Sequence, residues 1–360
     1  SHAWQQVKDK LYVEDLNGVQ WDYYRTTYEK FLPYINNGFD FSEMLSELLG
    51  ELNVSHTGST YWGNGYTLST ACLGRFFDPA YEGDGLKVQE VLRRGPFDVR
   101  NTKVKAGDII EAIDGEKIEA GKDYNAMLDG KVGRPVRVML KGGREVVVKP
   151  ISSGEQSKLL YRRWVDRNKA MVDKWSNGQI AYVHVKAMDS ESFRTVFSEL
   201  LSDSNRQKKA VIVDERHNGG GWLHDDLCTL LSGRQYQSFV PRGQFIGWDP
   251  WNKWVKPSCV LVCEDDYSNG HGFPYVYQKL GIGPVIGAPV AGTMTAVWWE
   301  TMLDGQTVFG IPQVGCLGMD GKYGENQTLI PDITVYNTPE QQLSGDDQQL
   351  RRAVEEMLKK

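Results

Sequence analysis

The sequence predicts a multidomain mixed α/β protein of α+β and α/β character, with a helical start, a β-rich middle and an alternating strand–helix remainder. Three observations predict it. Apolar residues recur at helical spacing over roughly the first 55 residues. Short β-branched runs separated by glycine turns follow, to about residue 151. From residue 152 strands and helices alternate, the signature of a layer built on parallel strands. At 360 residues the chain also exceeds what one hydrophobic core usually serves. The expected parts are therefore 1–65, 66–151 and 152–360.

In the first part, Trp21, Tyr24, Tyr28, Phe31 and Leu32 share one helical face that Pro33 ends. Met44, Leu45, Leu48, Leu49 and Leu52 form a second face, with Asp40 or Ser42 as its cap. Both stripes are read as packing surface. In the middle part, Asp114-Gly115 and Gly142-Gly143 each separate two apolar runs, which is a hairpin signal. One helix is expected near Lys122–Leu128. The stretch Lys105–Ile118 resembles a segment of PDZ domains, so this module is read as PDZ-like. In the last part, strands are expected at Ile180–Lys186, Ala210–Asp214 and Cys259–Cys263. Helices are expected at 193–201, Trp222–Leu231, Phe273–Leu280 and Asp346–Leu358.

Composition narrows the function. A formal net charge of -6 argues against a general nucleic-acid binder, which normally shows a basic stripe. No apolar run reaches the length of a membrane span. No signal peptide is visible, and the compartment is left open between cytoplasm and, for a trimmed chain, periplasm or exterior. The five cysteines are scattered and read as buried free thiols rather than metal or redox sites. No metal and no cofactor is expected.

Two strand-to-helix turns in the last part carry the chemistry. The first runs Asp214-Glu215-Arg216-His217-Asn218-Gly219-Gly220-Gly221. Its glycines allow close backbone approach, and free N–H groups before a helix attract negative charge. It lacks the lysine and Ser/Thr of a P-loop. The second, Glu264 to Gly272, carries Ser268 out of a buried strand toward a helix, a geometry that suits a nucleophile. A nucleophilic serine needs a base, and local spacing does not choose among His56, His217 and His271.

A resemblance does choose. Glu51-Leu52-Asn53-Val54-Ser55-His56, then Tyr161–Asn168, Gly178–Val185, Val211–Gly221, Ser268–Tyr275, Gly324-Glu325-Asn326 and Ile330–Val335 occur in order. Together they resemble the tricorn-core and C-terminal processing protease family of serine peptidases, on its tricorn-like branch. That resemblance implies a helical subdomain, a PDZ-like domain and a crotonase-like ββα catalytic domain. It implies hydrolysis of peptides or unfolded protein through an acyl-enzyme on Ser268, with His56 as general base. It further implies that Ser55 and Glu325 orient and polarise His56. Backbone N–H groups of Gly219, Gly220 and Asn269 would hold the oxyanion, and a homo-oligomer would form.

Departures from the family pattern are visible. Asn269 stands where the family often has aspartate, and His271 replaces an acidic position, shifting the local charge. The tricorn enzymes carry β-propeller domains ahead of this region, and none lies within these residues. The processing-protease branch uses a Ser/Lys dyad. Here no lysine falls between Lys279 and Lys322, and Thr293 stands near the expected place, so a Ser/His pair is preferred. Two rival readings are an inactive peptide-binding protein of the same fold and a crotonase-like acyl-CoA enzyme. The latter leaves the helical start and the PDZ-like insert unexplained.

Overall fold

The computed structural model describes residues 1–63, 69–100 and 102–360. The chain forms two compact units, Ser1–Asn64 with Lys169–Lys360, and Gly65–Asn168. The boundary expected at residues 65 and 66 lies outside the described residues.

The first unit opens with α1 (His2–Lys10), α2 (Trp21–Glu29) and α3 (Gly38–Gly50), then strand β1 (Gly58–Tyr61). Trp4 and Trp21 bind their helices together, each indole N–H donating to the other's carbonyl at 3.1 and 3.0 Å. Leu45, Leu48, Leu49 and Leu52 pack in the same cluster as Phe309 and Ile311. The cap of α3 is Asn37, whose side chain accepts from the N–H of Asp40, rather than Asp40 or Ser42. It wins because the helix begins at Gly38, which puts extended Asn37 just ahead of the free N–H groups and Asp40 and Ser42 inside the helix. Helix α2 ends at Glu29, and Pro33 instead starts a 3₁₀ turn at Leu32–Tyr34. Phe31 and Leu32 are exposed, so the aromatic stripe is packing surface only in part.

The second unit holds an antiparallel sheet of β2 (Arg75–Phe77), β3 (Leu86–Val91), β4 (Ile109–Ile113), β6 (Val136–Leu140) and β7 (Arg144–Val148), in that order. A short β5 (Glu116–Lys117) pairs with β4 across Asp114-Gly115, and β6 pairs with β7 across Gly142-Gly143. Both expected hairpins are present. Val88, Phe97, Ile110, Val136 and Val138 fill its core. The helix expected near Lys122–Leu128 is only a 3₁₀ turn at Asn125–Leu128. Asp123 accepts from the backbone and side-chain N–H groups of Asn125, a local turn that competes with helix.

Helix α4 (Ser153–Trp175) leads to the large sheet of the first unit. That sheet uses β8 (Ile180–His184), α5 (Ser190–Leu200), α6 (Asp203–Arg206), β9 (Ala210–Asp214) and α7 (His224–Leu231). A hairpin of β10 (Gln237–Phe239) and β11 (Gly247–Asp249) intervenes before β12 (Ser258–Val262), α8 (Asn269–Lys279) and β13 (Val285–Gly287). Then come β14 (Thr295–Thr301), β15 (Thr307–Gly315), β16 (Ile333–Thr334), α9 (Pro339–Ser344) and α10 (Gln348–Leu358). The sheet order is β16-β13-β12-β9-β8, every pair parallel. Its strands are buried along their whole length in β8, β9 and β12, as expected for a parallel sheet covered on both faces. A separate antiparallel sheet, β1-β15-β14, carries the strand from the helical start.

Candidate active site

Strands β9 and β12 are parallel neighbours, paired from Val211 with Ser258 to Asp214 with Leu261. The two turns leaving their C-terminal ends therefore lie side by side. Gly220 sets how close they come. Its φ is +97°, and a Cβ there would stand 2.6 Å from Ser268 Cβ and 2.8 Å from the Tyr267 carbonyl oxygen. Only glycine fits. Hydrogen bonds tie the turns as well: Tyr267 N–H donates to the Asn218 carbonyl at 2.9 Å, and Asn218 N–H donates to Asp266 Oδ1 at 3.1 Å.

Ser268 occupies the cap position of α8 with φ +57° and ψ −120°, a backbone state uncommon outside glycine. Its N–H donates to Thr293 Oγ1 at 2.7 Å, which ties this turn to the segment ahead of β14. Of the three expected oxyanion donors, Gly220 is already committed, its N–H donating to Asn218 Oδ1 at 2.8 Å. The N–H groups of Gly219 and Asn269 have no acceptor among the described residues. The Asn269 side chain is occupied elsewhere. Its Oδ1 accepts from Leu223 and His224 at 2.7 and 3.1 Å, and its Nδ2 donates to His224 Nδ1 at 2.8 Å. These bonds satisfy N–H groups at the start of α7, which explains why that helix begins at His224 and not at Trp222.

His56 comes from the other sheet. It lies between α3 and β1 with φ +63°. Its N–H donates to Tyr267 Oη at 2.7 Å, and the two rings sit 4.8 Å apart. Its Nδ1 lies 2.7 Å from Ser55 Oγ and 3.0 Å from Thr295 Oγ1. Ser55 Oγ in turn donates to Glu325 Oε2 at 2.9 Å, and Ser55 N–H donates to Oε1 at 2.6 Å. The donor count assigns the tautomer. Because the Ser55 hydroxyl proton goes to Glu325, its oxygen accepts Nδ1–H, and Nε2 keeps its lone pair. Burial lowers the His56 pKa below its ordinary value, which keeps the ring neutral and basic-competent. Burial raises the Glu325 pKa, and the Ser55 hydrogen bonds pull the other way.

His56, Ser268, Gly219 and Asn269 line one cleft of about 410 Å³. Trp222, Met294, Val297 and Trp299 supply much of its apolar wall, and no Asp, Glu, Lys or Arg lines it among the described residues. The other histidines lie elsewhere. His217 faces Asp265 at 3.0 Å. His184 is buried in β8 with Nε2 at 3.1 Å from the Arg216 carbonyl. His271 is buried, and burial lowers its pKa to about 4. Near neutral pH it thus removes an acidic charge from that position without adding a positive one.

Four residues that shape the site were not singled out from the sequence for these roles: Thr295, Tyr267, Asn218 and Asp266. Thr295 is 239 positions from His56, so no local signal points to it. Tyr267 and Asp266 adjoin Ser268, and adjacency was the signal available. Asp266 is buried, which pushes its pKa up to about 8, while it accepts from Cys263 N–H at 2.8 Å.

Residues 179–335 match the peptidase family S41, residues 1–50 the tricorn protease C1 domain, and residues 79–153 the tricorn protease PDZ domain. Tricorn protease homolog 1 of Streptomyces coelicolor is 29% identical over 364 residues, covering 97% of this chain and 34% of that protein. The tricorn protease of Thermoplasma acidophilum is 26% identical over 384 residues, covering 99% of this chain and 34% of that protein. The chain thus spans about a third of the length of these relatives. A crystal structure of the tricorn protease shares the fold with TM-score 0.87 at 24% identity, over 99% of this chain and 36% of that one.

Proposed function

We propose that the chain is a serine peptidase of the tricorn-like branch of family S41 and that it hydrolyses peptide bonds through an acyl-enzyme on Ser268. The observation that carries this reading is the cleft itself: Ser268, one imidazole with its Nδ1 tied back, and two backbone N–H groups without acceptors among the described residues border the same space.

The chemistry follows from the donor arrangement. Ser268 Oγ attacks the scissile carbonyl carbon while His56 Nε2 takes its proton, a step of general-base catalysis worth about 10²–10⁴-fold. The carbonyl oxygen becomes an oxyanion and accepts from Gly219 and Asn269, each such donor contributing roughly 10²–10³-fold. As the tetrahedral intermediate collapses, His56 returns the proton to the leaving amine. Water, deprotonated by the same imidazole, then releases the acyl group. Glu325 acts through Ser55, holding the charge that develops on His56 without itself taking the proton.

Three further elements belong to the same proposal. The parallel sheet with its two turns is read as crotonase-like, within a division into 1–65 carrying Ser55-His56, 66–151 as the PDZ-like module, and 152–360 as catalytic. The apolar, uncharged lining favours substrates that place an apolar side chain in the cleft. The resemblance also carries over a homo-oligomer, which sedimentation of the purified chain tests.

Digestion of a peptide library by the chain and by Ser268→Ala tests the central claim. Loss of turnover by about 10⁴-fold or more in the variant is expected, by analogy with serine triads. Labelling by a serine-directed phosphonate should vanish with it. Chelator-treated protein should still hydrolyse. Peptide binding without labelling or turnover would instead favour the inactive binding protein, and acyl-CoA turnover alone would favour the acyl-CoA enzyme.

A further inference from the structure

The C-terminal ends of β9 and β12 bring together a second set of side chains that the hydrolytic chemistry does not use. His217 follows β9, Cys263 directly follows β12, and Asp265 lies two residues further on. One ligand atom from each lies within 4.8 Å of the other two. Cys263 Sγ is 2.8 Å from Asp265 Oδ1 and 3.8 Å from His217 Nδ1, and His217 Nδ1 is 3.0 Å from both Asp265 oxygens. Thiolate, imidazole and carboxylate around one point is a ligand set suited to zinc and its soft analogue cadmium, and poorly suited to magnesium.

The distances fit such an ion closely. Tetrahedral zinc with ordinary bond lengths places neighbouring ligand atoms about 3.5 Å apart. Reaching that requires each of the three pairs to shift by less than about 1 Å. Cys263 is buried, whereas His217 and Asp265 are exposed, so the fourth position opens to water. The backbone already holds the thiol in place, since His217 N–H lies 3.1 Å from Cys263 Sγ.

The geometry points to a soft divalent-cation site at His217, Cys263 and Asp265, pinning together the two turns that also carry Gly219 and Ser268. Binding exchanges the Cys263 S–H bond for an S–metal bond and releases that proton to solvent. The proton on a neutral His217 Nδ1 is re-placed on Nε2, so its loss to solvent is not required. The clamp lies one residue from Asn218 and one residue from Asp266, whose mutual hydrogen bond already joins the turns. A bound cation therefore adds a cross-link to the folded state and raises its stability by mass action.

Cadmium titration of the chelator-treated full chain tests this without reading hydrolysis. Expected are a sulfur-to-cadmium charge-transfer band that saturates at one ion per chain, its displacement by zinc, and a Tm increase that magnesium does not produce. Cys263→Ser should abolish the band, and His217→Ala and Asp265→Asn should each weaken binding by about 10-fold or more. A band that survives Cys263→Ser, or parent-like affinity in either exposed-ligand variant, would overturn the site. Should Cys263→Ser fail to fold, the two exposed-ligand variants decide alone.

Discussion

The Ser268 and His56 sides of the cleft are constructed differently. Ser268, Asn269 and Gly219 sit on two turns leaving adjacent parallel strands, held by backbone N–H groups that donate to Asn218, Asp266 and Thr293 and by the close approach at Gly220. His56 sits on a loop before β1, and its orientation comes from side chains 239 and, through Ser55, 270 positions away in sequence. The first side is a property of a strand-and-turn framework with little room to relax. The second is a relay of hydroxyls and a carboxylate, in which Ser55 and Glu325 lie outside the strands and Thr295 opens β14. Rigid backbone geometry on one side and replaceable polar contacts on the other should respond unequally to substitution.

Among substitutions that leave Ser268 and His56 in place, Gly220→Ala should show the largest effect. The new Cβ meets Ser268 Cβ at 2.6 Å and demands a φ of +97°, so the nucleophile turn must move. A displacement on the order of 1 Å costs about 100-fold in turnover, measurable as kcat on a peptide substrate. Gly219→Ala, with nothing within 4 Å of its added Cβ, should lose far less. Equal losses would mean that the contact at Gly220 is not what holds the turns in place.

Glu325→Gln should rank next. The amide keeps one acceptor for Ser55 but loses the negative charge, and a fall in kcat of roughly 10–100-fold with little change in KM is expected. The pH profile sharpens the same side. In the proposed mechanism His56 acts only when neutral, and burial lowers its pKa, so kcat/KM should hold through the ordinary imidazole range and fall only at lower pH. An acid limb above the ordinary value would show that charge from Glu325 outweighs burial.

The smallest effect on turnover is expected beneath the turns. Glu215 is fully buried, both its oxygens lack partners among the described residues, and burial with nearby Asp266 and Asp214 raises its pKa well above the usual range. The folded chain then holds a proton that the unfolded chain has lost above the ordinary glutamate pKa. Stability therefore falls as pH rises from there toward the folded value. Glu215→Gln removes this slope, and its Tm advantage over the parent should grow between pH 5 and pH 8. An advantage that stays constant with pH would mean the group is ionised in the fold.

The Ser268 side was largely legible in the sequence because its signals are local. Buried runs such as Ala210–Asp214 and Cys259–Val262 followed by glycines mark strand, turn and helix within a dozen residues. The base side was not legible from spacing. His56, His217 and His271 were equivalent until burial and partners separated them: His271 is enclosed and His217 turns to Asp265, whereas His56 lines the cleft. Element ends slipped where a side chain from elsewhere supplied the cap. Asn269 sets the start of α7 from 45 residues away, and no helical pattern encodes that.

By itself the sequence determined the mixed α/β class, the two hairpins of the middle part, the buried parallel strands and the pair of glycine-bordered turns. These follow from periodicity and from glycine's conformational freedom, which act over a few residues. Only the tertiary structure decided that Gly220's N–H is already spent, that the Asn269 side chain serves α7, and that Thr295 shares His56 Nδ1 with Ser55. The physical reason is that hydrogen-bond partners are assigned by proximity in space, and a donor's freedom depends on every acceptor the fold brings within reach.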